Sequence, residues 1–411
     1  MTQKTQTQTQ TQTPETKTAI VAGGGIAGPV AAMALLKAGI RATVYEAYPS
    51  SADGVGGGLS IAPNGLNALG VIDARDAVLG IGEPMVGMVM QNGGGKVLAE
   101  FGGLPGLPPM QFVWRPDLYR VLRDEAVSRG IAFEHGKKVV GLTDGPDRVT
   151  ARFADGTEAS ADILVGADGI RSTVRGLIDP QSPAPRYSGL VSLAGTVDDT
   201  GLPSTHDKMH MVFGRRAFFG YQVREDGSGG WFVNLPQKTP TTLAEMRAVP
   251  AREWLRSLGE DFRADRVPAA DLIARTDPAR LLVIGPMEDI PSVPVWSRGR
   301  VVLVGDAAHP TSPSSGQGAS LAIESAVQLA RCLREQPHPQ AFAAYEALRR
   351  DRVERIIKSG ARANRNKAAG PVGRVARDLL MPLLMRMVRP EKMAWQFDYR
   401  IDWEQPVPVN A

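Results

Sequence analysis

The sequence predicts an α/β protein: a Rossmann-like layer split in two along the chain, an antiparallel β-sheet domain inserted between its halves, and C-terminal helices. Three observations predict it. Thr18 to Glu46 reads strand, glycine turn, helix, strand, the opening of a βαβ unit. A short apolar run ending in a carboxylate recurs at Ile163–Asp168 and again at Val301–Asp306, as expected when later strands return to one parallel sheet. Between those runs, residues 185–294 alternate apolar and polar positions in stretches such as GLVSLAGTV, HMVFG, AFFGYQV and GGWFVNLP, the period of an antiparallel sheet.

In chain order, MTQKTQTQTQTQTPETKT comes first, polar and of low complexity. It buries too little apolar surface to offset its ordering entropy, so a disordered tail is expected over residues 1–17. Ala19–Ala22 forms the first strand, a helix runs from about Ile26 to Ala38, and Gly39 stands where helix ends favour glycine. RATVYE is the second strand. Residues 51–107 are glycine-rich, with helices expected around Asn64–Leu69 and Asp73–Leu79. MQFVWRPDLYRVLRDEAVSRG reads strand then helix, with Pro116 in the first turn, where its missing N–H costs nothing. Strands follow at Ile131–Glu134, Lys137–Thr143 and Val149–Phe153, then the apolar strand of ADILVGADG and a helix in RSTVRGLI. Helical patterns interrupt the inserted region near Leu243–Leu258 and Ala269–Thr276. RVVLVGD returns to the first layer, and helices fill most of the remainder to Val388. The expected domains are 18–184 with 295–370, then 185–294, and a C-terminal helix and tail over 371–411.

Composition narrows the function. At 411 residues, 43% hydrophobic and 22% charged, the chain has an ordinary globular mixture. A net charge of +4, with Lys and Arg dispersed, gives no footprint for nucleic acid. No apolar run reaches the length of a membrane span, and no secretory h-region is present, so a cytoplasmic location is expected. The single cysteine, Cys332, excludes an intrachain disulfide framework and a multi-cysteine metal site. Beside Leu329 and Leu333 it reads as an inert core thiol.

Gly23-x-Gly25-x-x-Gly28 lies between strand and helix, the context that gives this motif meaning. Gly23 permits the tight turn, Gly25 lets backbone approach a pyrophosphate, and Gly28 allows close helix–strand packing. The helix start offers free N–H groups and a positive partial charge to phosphates. Glu46, 18 residues after Gly28 at the end of the second strand, is placed to accept ribose hydroxyls. The pattern implies a bound dinucleotide.

Two further features stand downstream: Asp168-Gly169 within DILVGADGIRSTVR, and Gly305-Asp306 within VVLVGDAAHPTSPSSGQGAS. The three motifs together, in this order and spacing, resemble the flavoprotein hydroxylases typified by 4-hydroxybenzoate hydroxylase, the single-component (group A) aromatic monooxygenases. The resemblance covers roughly Thr18 to Ile357. It implies a Rossmann-like FAD-binding domain, with GGGIAG (Gly23, Gly25, Ala27, Gly28) and Glu46 holding the ADP half of FAD. It further implies that Asp306 accepts a hydrogen bond from a ribityl hydroxyl and that Arg115 reaches the cofactor from the start of a helix. Gly316, Gly318 and Ala319 would let the flavin ring lie against backbone, and Pro313 would place its backbone near flavin C4a. The activity implied is hydroxylation of an aromatic or polyketide-like small molecule with NAD(P)H as co-substrate and O₂, through a flavin C4a-hydroperoxide. A monomer or homodimer is expected.

Several residues keep two readings. Arg171 and Arg175 either contact the pyridine nucleotide or form a solvated charged face. His309 either braces its loop or acts as a base, and no side chain is singled out as the catalytic base. His206 and His210 share a metal-compatible spacing but lie on a loop and a strand pattern. Phe213, Phe219, Tyr221 and Trp231 either line the acceptor cavity or form sheet core. The apolar helix from Asp378 either packs over the inserted domain or offers a membrane or partner surface. The W-x-W-x-I-P signature of flavin halogenases is absent from the sequence. An FAD-scaffolded, non-redox cyclase remains the alternative on the same fold.

Overall fold

The computed structural model describes residues 16–50, 57–367, 370–387 and 394–408. Most of the expected disordered tail lies outside the described residues. Where the description begins, the Lys17 and Thr18 N–H groups donate to the Asp162 carboxylate at 2.9 and 2.8 Å.

The central layer is a six-stranded sheet ordered Ser297–Arg298, Val301–Leu303, Ile163–Gly166, Thr18–Ala22, Arg41–Tyr45, Ala132–Glu134. Every neighbouring pair is parallel except the first, which is antiparallel. Ala22 lies opposite Gly166, and Gly166 opposite Leu303. The turns after these three strands therefore open on one edge, although 283 residues separate Gly23 from Asp306 in the chain. Apolar side chains occupy both faces of the strands, as burial on both sides requires. The helix Ala27–Lys37 is buried along most of its length. Alanines at 31, 32 and 34 let it pack closely between the sheet and the helix Gly318–Glu335.

A seven-stranded sheet forms the second layer, ordered Leu281–Asp289, Arg186–Val197, Gly229–Pro236, Phe218–Val223, Lys208–Phe213, Gly87–Asn92, Val97–Gly102. Five strands come from the insertion. The other two come from the glycine-rich region, where only helices were expected. Their hairpin turns at Asn92-Gly93-Gly94-Gly95, with Gly95 at φ 83°, and Gly87–Asn92 pairs in parallel with Lys208–Phe213. One face of this sheet packs on the helices Ala251–Phe262 and Ala269–Ala274 through Phe219, Trp231, Leu258 and Phe262. The single helical pattern expected over Leu243–Leu258 is two helices, Leu243–Ala248 and Ala251–Phe262, because Pro250 lacks the N–H that continuation needs.

The C-terminal helix spans Pro371–Met387 rather than starting at Asp378. It packs on the glycine-turn hairpin and its neighbours: Arg377 lies over the Phe213 ring, Asn92 donates to Asp378, and Met381 meets Leu98, Phe213 and Phe218. Among the described residues, no helix is long and apolar enough to cross a membrane.

A buried ionic cluster ties the helices behind the sheet together. Glu324, fully buried, meets Arg349 at 2.5 Å and Arg352 at 2.9 Å, and accepts from Asn64 Nδ2. Burial alone would raise the Glu324 pKa, but the two guanidiniums and Asn64 hold it below the usual range. Arg352 continues to the carbonyls of Trp395 and Gln396, which docks the tail. Removing one member of such a cluster strands the remaining charges in a dry environment. Glu324→Gln should lower stability by about 3–5 kcal/mol, read as a lower urea midpoint of the holoprotein.

Candidate active site

Gly23 begins the first turn at φ 107°, a conformation costly for any residue with a side chain, and its N–H donates to the Tyr45 carbonyl at 2.8 Å. A Cβ on Gly28 would overlap the Gly23 carbonyl oxygen, so helix and turn approach as closely as the chain allows. Gly23 and Gly28 stand behind the turn; Gly25 and Ala27 face a cavity. Glu46 closes the loop, its Oε2 accepting from the Gly24 N–H at 2.6 Å and its Oε1 from the Tyr48 N–H at 2.8 Å.

The downstream turn meets the first one. Gly305 sits at φ 58°, and a Cβ there would come within 2.9 Å of Ala27 Cβ and 3.1 Å of Ala322 Cβ. Asp306 follows, its carboxylate lining the same cavity and accepting no hydrogen bond from the described residues. Burial raises its pKa, while Arg115 and Arg175 pull the other way.

Asp168-Gly169, between these turns, is a brace. Asp168 accepts from Ser172 Oγ and from the Val174 N–H, capping the helix Thr173–Ile178. Arg175 is not on a solvated face: it is 4% exposed and donates to the carbonyls of Ala307 and Ile170. It thus clamps the backbone beside Asp306. Arg171 precedes the helix and pairs with Glu288 at 2.8 Å on the surface.

A cavity of about 560 Å³ runs from these turns to the seven-stranded sheet. Pro313, Gly316, Gly318 and Ala319 line it where the helix Gly318–Glu335 begins, and Arg115 lines it from the start of its own helix. A cation at a helix N-terminus is electrostatically unfavourable, and the buried Arg115 Nε has no partner. Thr311 Oγ1 and Gln317 Nε2 are likewise buried without partners, and both residues line the cavity. Orphaned polar groups of this kind carry a desolvation cost that a polar ligand would offset. Unmet donors beside glycine turns and a carboxylate with no protein donor fit a nucleotide with phosphates and a polyol.

The far wall is apolar and adaptable: Met85, Met88, Met110, Met209, Met211 and Met287 line it. Of the four aromatics weighed from sequence, only Trp231 touches the cavity. Phe219 and Tyr221 point to the helix-covered face of the sheet, and Phe213 packs with Leu98 and Phe218. Strand alternation is the reason: on Phe218–Val223 the cavity receives Gln222, while its sequence neighbours turn away.

The histidines divide similarly. His309 is buried, its Nε2 is 2.8 Å from Ser325 Oγ, and burial lowers its pKa to about 3. It stays neutral, lies off the cavity and braces the loop. His206 pairs with exposed Glu225, and His210 meets the Tyr221 hydroxyl at 3.0 Å; among the described residues no cluster could hold a metal. Cys332 is buried, and burial raises its pKa to about 11. Sequence reasoning missed Thr311, Gln317, Lys367 and Phe397. Gln317 stood between two glycines already singled out; Lys367, at the end of the helix His338–Lys367, and Phe397, in the tail, carried no motif.

Residues 15–359 match the family model described as "FAD binding domain". The chain is 34% identical to aurachin C monooxygenase/isomerase of Stigmatella aurantiaca over 83% of this chain and 87% of that protein. It is 33% identical to an FAD-dependent urate hydroxylase of Klebsiella pneumoniae over 82% and 87%. The crystal structure of Klebsiella pneumoniae HpxO complexed with FAD and uric acid superposes with a TM-score of 0.81 at 28% identity, covering 93% of this chain and 96% of that one. The chain belongs to the FAD-binding aromatic hydroxylase family. It is an FAD-dependent monooxygenase, and FAD is its cofactor.

Close packing at Gly28 makes one residue decisive for this monooxygenase. Gly28→Ala should yield protein with little bound flavin, seen as loss of visible absorbance relative to protein concentration, because the added methyl group forces turn and helix apart.

Proposed function

We propose that this monooxygenase uses NAD(P)H and O₂ to hydroxylate a largely apolar, electron-rich aromatic acceptor held between the flavin and the methionine wall. The observation that carries the reading is one cavity shared by both glycine turns and the face of the antiparallel sheet. Its nucleotide end has orphaned donors; its acceptor end has six methionines and the rings of Phe112 and Phe232. An apolar wall of flexible side chains suits a ring system more hydrophobic than urate.

In this reading the backbone around Gly25 and Ala27 and the Arg115 guanidinium bind the phosphates, Glu46 holds the ribose, and Asp306 accepts from the polyol. Pro313, Gly316, Gly318 and Ala319 set the ring against backbone, and the start of the helix Gly318–Glu335 presents its positive end there. FAD supplies the oxygen-activating chemistry when bound. The protein's part is to orient the acceptor, exclude water and stabilise negative charge at the helix start.

Asp306 is the most exacting of these contacts. Asp306→Ala should weaken FAD binding roughly 10–100-fold, the loss of a hydrogen bond to a charged acceptor, with Asp306→Asn intermediate because its amide oxygen still accepts. Titrating FAD into apoprotein reads both.

The activity itself is tested by screening phenols, naphthols and hydroxyquinolines for stimulated NAD(P)H oxidation, with labelled O₂ traced into product. Label in a hydroxylated ring is expected. Turnover of an acceptor without NAD(P)H consumption and without label would instead identify a flavin-scaffolded isomerisation and overturn the reading.

A further inference from the structure

Lys367 ends the helix His338–Lys367 and lines the acceptor end of the cavity. Its Nζ donates to Asn234 Oδ1 at 2.7 Å and to Ser314 Oγ at 2.9 Å, and lies 4.2 Å from the centre of the Phe218 ring. Asn234 is held for this purpose: its Nδ2 donates to Ser192 Oγ and the Val233 carbonyl, which turns Oδ1 toward the amine. Two of the three positions on Nζ are thus committed to neutral oxygens.

No carboxylate among the described residues pairs with Lys367. The other cations lining the cavity are differently placed. Arg224 forms a two-pronged pair with Glu83, and Arg115 stands with the glycine turns. Burial without a counter-charge lowers the Lys367 pKa to about 7, the direction expected for a desolvated amine. An amine in that state is a competent base at neutral pH. Its partner Ser314 follows Pro313, so one hydrogen bond links Nζ to the loop assigned above to the flavin ring.

We propose that Lys367 is the acceptor-binding base: its neutral amine takes the hydroxyl proton of an aromatic alcohol, and the resulting ammonium holds the oxyanion beside the flavin. The O–H bond breaks, an N–H bond forms on Nζ, and the electron pair stays on oxygen, where it enriches the ring carbons that receive oxygen. The proton transfer needs no further reactant. This inference rests on the aromatic-acceptor reading and adds to it the residue that takes the acceptor's proton.

The test measures binding to the oxidised holoenzyme by perturbation of the flavin spectrum. Three probe pairs differ only by O-methylation: 1-naphthol and 1-methoxynaphthalene, 4-hydroxyquinoline and 4-methoxyquinoline, 4-nitrophenol and 4-nitroanisole. The protein should favour the hydroxyl member by about tenfold or more. Lys367→Met should erase the preference while FAD content and ether binding hold. Lys367→Arg should keep an oxyanion partner but cannot accept the proton, so the fall of kcat/KM below pH about 7 expected with the lysine and 1-naphthol should move up to the pH range in which the naphthol ionises by itself. If Lys367→Met fails to retain FAD, the pH comparison with Lys367→Arg decides alone. The inference falls if hydroxyl and ether members bind alike, if no hydroxyl probe binds, if the preference survives in Lys367→Met, or if the acid limb stays at pH about 7 in Lys367→Arg. None of these outcomes touches the monooxygenase reading, which oxygen incorporation with any aromatic acceptor decides.

Discussion

The site exists because three parallel strands share one register. Ala22, Gly166 and Leu303 lie side by side, so the turns after them, drawn from distant parts of the chain, meet on one edge of the sheet. Parallel neighbours need long crossovers, and here the crossover before the last strand includes the five inserted strands of the second sheet. That connection brings the insertion's cavity-facing strands over the open edge. A shift of one residue between strands would carry Gly305 away from Ala27 and Ala322, the contact that joins the two glycine turns.

Around that edge the protein divides its polar groups into two kinds. Some pair with other protein groups and serve the scaffold: the Glu324–Arg349–Arg352 ion cluster, Asp168 with Ser172, and Arg175 on the Ala307 carbonyl. Others are left short of partners where they face the cavity: Arg115, Thr311 and Gln317 each carry an orphaned atom, and Asp306 lines the same cavity without a donor from the described residues. Buried polar groups normally find partners; three that lack one, on Arg115, Thr311 and Gln317, line the same cavity. Lys367, solvated by two oxygens and a ring but by no charge, belongs to the same logic at the opposite end.

Most of the residues gathered at the glycine turns were legible in one sequence. Gly23, Gly25 and Gly28 answer to backbone geometry, which forces residue identity at fixed spacing, and Glu46 and Asp306 stand just beyond strand ends. The acceptor half was much less legible. Phe219 and Tyr221 share their strand with Gln222, yet only Gln222 reaches the cavity, because alternation assigns faces while nothing local says which face will be covered by helices. The hairpin Gly87–Gly102 was missed although Asn92 and the glycines after it form a recognisable turn; its strands hold their place only by pairing with a strand more than a hundred residues later.

The sequence by itself determined the split α/β layer, the flavin cofactor and the residues whose job is dictated by local backbone demands, since a tight turn or a strand-end carboxylate leaves few substitutes. Only the tertiary structure decided what the acceptor meets. A methionine wall, an arginine that proves to be a brace, and a lysine from the last turn of a long helix acquire their roles from burial and neighbours, and burial is a property of the packed chain that no residue carries alone.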